Sequence, residues 1–170
     1  MNEILQKYPE EVQQILAKYP AAYRKSAVMP LLYLAQRSGN YITKQAIAEV
    51  AELAGLSMTD VDSVVGYYTL YHETLGGRFR LQVCTDMPCA LKGADSFLQN
   101  LCANIGVKIG ETTPDGMFII EEVTCLAGCH RAPMMQVQSE RGIEYHENLT
   151  VESTLALMDQ LRKNAQEEVK

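Results

Sequence analysis

Apolar residues recur every three or four positions through the first 76 residues of the chain. Leu5, Tyr8, Val12, Ile15, Leu16 and Tyr19 keep that rhythm, which is the period of a helix with one buried face. Pro9 and Pro20 suit first helical turns, where the missing N–H has no partner to lose. The stretch AAYRKSAVMPLLYLAQRSG is amphipathic as far as the stop signal Gly39-Asn40. Pro30 within it predicts a kink or a helix start. Thr43 predicts the cap of a third helix, KQAIAEVAELA, which Gly55 ends. A fourth, starting at Ser57 or Thr59, runs through Val61, Val64 and Val65 toward Tyr67 and Tyr68.

After Gly76-Gly77 the period changes. RFRLQVC, from Arg78 to Cys84, alternates and predicts a strand. PCALKGADSFLQNLCANIG predicts one helix, with Pro88 at its start and Gly106 at its end. TPDG, from Thr113 to Gly116, is a turn, and MFIIEEV, from Met117 to Val123, a second strand. MMQVQSE and GIEYHENL predict a hairpin around Arg141-Gly142. VESTLALMDQLRKNAQ predicts a closing helix capped by Thr150, with a frayed tail at Gln166–Lys170. The order β-α-β-β-β-α implies a small sheet flanked by helices. The expected class is therefore α+β, with a helical domain over 1–76 and a sheet-containing domain over 77–170.

Composition narrows the functions available. The 170 residues are 47% hydrophobic and hold 15 Lys plus Arg against 21 Asp plus Glu, a net charge of −6. Neither half is basic, which argues against a nucleic-acid partner held through phosphates. The longest apolar run, Ala27 to Ala35, is interrupted by Pro30 and too short to span a bilayer, so direct membrane insertion is not expected. The N-terminal MNEILQKYPEEV lacks the apolar stretch of a signal peptide, so the expected location is cytoplasmic. Five cysteines in an unexported chain point to thiols or metal ligands rather than a disulfide framework.

Four of those cysteines form two short pairs, Cys84-TDMP-Cys89 and Cys125-LAG-Cys129. A binuclear iron centre bridged by sulfide needs four thiolates, two per iron, and two local pairs brought together by a fold meet that need. Zinc uses the same ligand type, but sites built from two cysteine pairs favour gaps of two, whereas these gaps are four and three. Four buried, unligated thiols are a third reading, and neither pair is the C-x-x-C of a redox dithiol. All four cysteines fall near predicted strand ends. Gly128 gives the second loop freedom to turn N–H groups toward a metal. Cys102 lies at core spacing with Leu98, Leu101 and Ile105.

The other candidates are weaker. His130 follows Cys129 and reads as a solvated loop histidine, with a hydrogen bond to the centre as the alternative. His72 and His146 read as surface or structural, and Met134-Met135 as core. Tyr67, Tyr68 and Tyr71 suit either an interface or packing. Asp86, Glu121 and Glu122 would lower a cluster's potential if they lie beside it. The segment Ile47 to Val65 resembles a helix-turn-helix, which would make a redox-sensing repressor. Its would-be recognition helix begins Thr59-Asp60-Val61-Asp62-Ser63 and offers no base-reading or phosphate-binding side chain.

The segments YHETLGGRFRLQVCTDMPCALKGAD, TPDGMFIIEEVTCLAGCHRAPMMQV and YHENLT resemble the 24-kDa-type 2Fe–2S subunit of NADH:quinone oxidoreductase, respiratory complex I. The resemblance extends through RKSAVMPLLYLAQRSGNYI and VDSVVGYYTLY and so covers nearly the whole chain. It implies a helical N-terminal domain followed by a thioredoxin-like ferredoxin domain. It implies one 2Fe–2S cluster held by Cys84, Cys89, Cys125 and Cys129, exchanging single electrons with the flavin of a partner. The chain has no G-x-G-x-x-G loop, so FMN and NADH are expected on that partner, the NADH-binding subunit of a larger membrane-associated assembly. The assembly would hold the chain peripherally on the cytoplasmic side. Equivalent subunits of NAD-linked hydrogenases and formate dehydrogenases are the alternative. One departure is Ala127, where the family commonly has glycine. The resemblance also implies a cis peptide before Pro133.

Overall fold

Side-chain caps set some of the helix starts of the N-terminal half, and prolines mark others. Asn2 Oδ1 accepts from Leu5 N at 3.0 Å and opens α1, Glu3–Lys7. Tyr8, with φ −133°, breaks the rhythm so that Pro9 can begin α2, Pro9–Ala17. The single apolar stripe therefore belongs to two helices. Pro20 precedes a 3-10 segment, Ala21–Ala27, and α3 follows, Val28–Gly39. Of the two outcomes expected at Pro30, the helix start is found, two residues earlier at Val28. Asn40, at φ 62°, ends α3. Thr43 caps α4, Lys44–Ala54, and Gly55 closes it in the left-handed region. Ser57 and Asp60 form a reciprocal capping box on α5, Met58–Tyr67.

The structure is a computed structural model and describes residues 2–167. The chain divides into two compact units, Met1–Leu75 and Gly76–Lys170. The first has its own core around Leu31, Leu32, Val50 and Val61, all fully buried. The helix-turn-helix-like segment is part of this bundle, with Ala51 and Val61 in the core. Tyr71 is buried and its hydroxyl donates to Met29 O at 3.1 Å, whereas Tyr67 is 78% exposed.

The second unit is a four-stranded mixed sheet in the order β2-β1-β3-β4. The strands are β1 Phe79–Cys84, β2 Phe118–Val123, β3 Met135–Ser139 and β4 Gly142–His146. β1 pairs parallel with β2 and antiparallel with β3. Every residue of β1 is buried, as befits a central strand. Phe79, Leu81, Val83, Phe118 and Ile120 pack with helical residues Phe97, Leu101 and Met158 in one apolar cluster. A Cβ on Gly77 would lie 2.4 Å from the Phe118 carbonyl carbon, so only glycine fits where the chain enters the sheet.

The single helix expected from Pro88 to Gly106 is two. α6 spans Met87–Ala90 and α7 spans Ala94–Ile105, separated where Gly93 turns to φ 89°. Gly106 ends α7 at φ 73°. The closing helix α8 spans Val151–Glu167, and Thr150 Oγ1 accepts from Ser153 N at 3.1 Å. Gln166 and Glu167 belong to α8, and the rest of the expected frayed tail lies outside the described residues.

Candidate metal centre

Parallel pairing of β1 and β2 determines where the cysteines meet. Cys84, the last residue of β1, is in register with Val123, the last of β2. The loops that leave these two ends therefore start side by side. Thr85 N donates to Val123 O at 3.1 Å, and Cys84 N donates to Met134 O at 3.1 Å. These bonds tie the start of the first loop and the end of the second to one edge of the sheet. The first loop carries Cys89 within α6, and the second carries Cys125 and Cys129.

Cys84 and Cys89 are both 0% exposed and cluster with Ala94 and Met134, with Leu126 and Ala132 packed alongside. Cys129 is half-buried and opens a 3-10 turn, Cys129–Arg131, and Cys125 is exposed. Burial pushes the Cys89 thiol up to about 12, reinforced by hydrogen bonding and charge at Cys84 and then at Cys129. Cys84 and Cys129 each lie close enough to Cys89 to act on its thiol, and Cys125 is exposed on the second loop. A metal ligand must be deprotonated, so metal uptake at Cys89 would release the proton that burial favours keeping.

The second loop is shaped by unusual backbone angles. Cys125 has φ 48° and Ala127 has φ 61°, both left-handed. A non-glycine residue at Ala127 therefore holds a conformation that glycine adopts freely, which is a physical reason why the resemblance leads one to expect glycine there. Gly128, at φ −112°, is constrained by space instead, because a Cβ would lie 2.5 Å from Met134 Sδ. The Ala132–Pro133 peptide is cis, as expected. Asn148 N donates to Arg131 O at 2.8 Å, Leu149 N donates to Pro133 O at 2.9 Å, and the Arg131 guanidinium pairs with Glu147.

The donor set fits a binuclear iron–sulfur group. Four soft thiols stand on two loops, two of them in a water-free cup and two toward solvent. Among the described residues, no three His, Cys, Asp or Glu side chains converge on a single-ion site. A binuclear centre asks for a wider arrangement, since each iron takes only two protein ligands and the bridging sulfides occupy the space between.

The flanking groups read from sequence take less direct roles. Asp86 accepts from Met87 N at 2.9 Å, and Glu122 accepts from the Thr85 hydroxyl. Glu121 is paired with the buried Arg80 and accepts from Gln82 Nε2 at 2.9 Å, so its charge is largely offset. His130 is exposed, and its Nε2 accepts from Arg131 Nε at 3.2 Å. Cys102 lies in the apolar cluster of the second unit, away from the four. The sequence reading did not single out Lys92. Its Nζ donates to His130 O at 2.7 Å, and its only signal was its place one helical turn after Cys89.

Comparison with known proteins adds to this geometry. The pattern of the thioredoxin-like 2Fe-2S ferredoxin family matches residues 12–162. An NADH-quinone oxidoreductase subunit of Rhizobium meliloti is 39% identical over 90% of this chain and 88% of its own length. A corresponding NADH-quinone oxidoreductase subunit of Thermus thermophilus is 37% identical over 85% of this chain and 80% of its own. The mitochondrial NADH dehydrogenase (ubiquinone) flavoprotein 2 of Dictyostelium discoideum is 41% identical over 91% of this chain, which spans 61% of that relative's length. In solved structures the fold recurs in an NAD+-reducing NiFe-hydrogenase, with a TM-score of 0.66 over 86% of this chain and 24% of that one, at 18% identity. The fold is thus shared with a solved structure, and this chain belongs to the thioredoxin-like 2Fe-2S ferredoxin family.

Proposed function

We propose that this chain is the iron–sulfur electron-transfer subunit of an NADH:quinone oxidoreductase, with Cys84, Cys89, Cys125 and Cys129 as the cluster ligands. Residues 1–76 are its helical domain and residues 77–170 its cluster-bearing domain. The observation that carries this reading is the convergence of both cysteine loops on adjoining ends of two parallel strands. When bound, a 2Fe–2S cluster supplies one-electron exchange, which suits a flavin that receives two electrons from NADH. Cys84 and Cys89 hold their half of the site away from water, and Met134 closes the cup behind them. Cys125 and Cys129 present the other half to the surface, the side from which a redox partner approaches. That partner is a flavin-carrying, NADH-binding subunit holding FMN, and the assembly it joins places this chain peripherally on the cytoplasmic side of a membrane. No described helix is long and apolar enough to cross a membrane, which agrees with a peripheral position. Relatives at 33 to 41% identity carry NADH dehydrogenase or NADH-quinone oxidoreductase names, so the equivalent role in an NAD-linked hydrogenase ranks second.

Anaerobic purification, iron and acid-labile sulfide assays and an EPR spectrum after dithionite test this function. About two irons and two sulfides per chain are expected, with a signal from the reduced cluster. Single Cys→Ser substitutions at the four positions abolish or shift that signal, whereas Cys102→Ser leaves it intact. Zinc in place of iron, or an unaltered signal in Cys125→Ser, refutes the assignment. Reduction by NADH only when the flavoprotein is co-expressed identifies the partner.

A further inference from the structure

Resting on that ligand assignment, we infer that Lys92 is a positioning residue for the cluster, whose ammonium bridges the two cysteine loops and favours the reduced state. Lys92 lies three residues after Cys89, and its Nζ donates to the carbonyl of His130, the residue after Cys129, at 2.7 Å. The two groups are 38 residues apart in sequence, and each is next to a ligand. Lys92 N also donates to Cys89 O at 3.0 Å, which keeps the base of the side chain in the turn that carries the ligand.

The geometry has two consequences. The first is mechanical. The second loop is held after Cys129 by Asn148 N to Arg131 O and Leu149 N to Pro133 O. Lys92 ties it to the first loop through the His130 carbonyl. A charge-assisted bond to a carbonyl is among the stronger hydrogen bonds a surface lysine can make. The second is electrostatic. Four thiolates and two sulfides leave a ferric binuclear centre anionic, and one-electron reduction adds a further negative charge. A fixed cation beside the ligand loops stabilises the more negative state more strongly, which raises the potential. This role is opposite in sign to that of the acidic neighbours, of which Glu121 is already compensated by Arg80.

The test uses the full chain with its cluster assembled and compares Lys92→Arg, Lys92→Gln and Lys92→Met by EPR-monitored redox titration and by the rate of iron loss to a chelator. Lys92→Gln keeps a donor without charge, Lys92→Met removes both, and Lys92→Arg keeps both. A lower midpoint potential is expected in Lys92→Gln and Lys92→Met, shrinking toward wild type at ~1 M salt, with Lys92→Arg near wild type. Iron loss from Lys92→Met is expected to be faster by roughly three- to tenfold. Lys92 is exposed, and an unchanged melting curve of the metal-free variants shows that the fold itself is not what moved. Wild-type potential in both neutral variants, or a wild-type rate of iron loss in Lys92→Met, overturns the assignment. A wild-type chain that takes up zinc or no iron overturns instead the cluster reading on which it rests.

Discussion

Gly128→Ala is a steric test of the cysteine cup. Gly128 has φ −112°, a backbone angle that alanine tolerates, so the substitution introduces little strain of its own. The added Cβ would lie 2.5 Å from Met134 Sδ and 2.7 Å from its Cε, about 1 Å inside ordinary contact. Met134 is 2% exposed and packed with Cys84, Cys89 and Ala94, so a shift of its tail presses on those neighbours. Either Met134 adopts a poorer rotamer or the Cys125–Cys129 loop moves outward. Overpacking of this kind costs about 1–3 kcal/mol. The expected signature is coupling: in a Met134→Ala background the clash is gone, and Gly128→Ala costs less than ~0.5 kcal/mol. Amide exchange of β1 and β3 in the metal-free chain reads the stability of this unit for wild type, both single variants and the double. Additive effects within about 0.5 kcal/mol would show that the Gly128–Met134 contact does not shape the loop.

Two further outcomes test the frame around the site. Burial raises the Asp115 carboxyl, but the Thr113 hydroxyl, Met117 N and Arg162 outweigh it and hold the group below its ordinary value. The charged form is the one bound in the fold. Its contribution is therefore complete above the ordinary carboxylate value and lost as pH falls below about 4 through the lower folded value. Asp115→Asn should flatten the acid limb of a stability–pH curve, and an unchanged limb refutes the role. Gly77→Ala places a Cβ against the backbone of Phe118 and Ile119 rather than against a flexible tail. It should destabilise the sheet by at least ~2 kcal/mol in denaturant melts, and a loss under ~0.5 kcal/mol would show that the strand entrance is pliable.

Much of the first unit could be read locally, because its signals act within a turn. Asn2 was not singled out, but Thr43, Gly55 and the Ser57 cap were legible as side chains that complete or end a helix. Pro9 marked the start of α2, whereas the continuous apolar stripe hid the break at Tyr8, which keeps the helical period on both sides. The break between α6 and α7 is hidden in the sequence pattern for a similar reason. Ala90, Leu91 and Lys92 favour a helix, and only the left-handed turn at Gly93 interrupts it. Strand positions were legible from alternation, but the order β2-β1-β3-β4 depends on pairings distant in sequence. The cysteine spacing pointed to the metal, and the loops confirmed only their shared edge. The unequal burial of the four thiols follows from that order, because Cys84 lies on the central strand and Cys125 leaves its neighbour.

That inequality assigns different work to the two loops. The first loop needs few special contacts, since Cys84 and Cys89 are positioned by strand, turn and apolar packing together. The second has Cys125 and Ala127 in left-handed backbone and its first cysteine exposed, and it packs on the cup through Leu126, Gly128 and Ala132. Polar ties add to that packing: Lys92 to the His130 carbonyl, the Arg131 carbonyl to Asn148, and Arg131 to Glu147. A site arranged this way has one half buried in apolar packing and one half exposed and held in part by polar ties. Substitutions in the apolar cup should therefore act on folding and cluster retention together. Substitutions among the ties should act on cluster retention and potential while leaving the fold intact, which is the distinction that the Met134 and Lys92 variants measure.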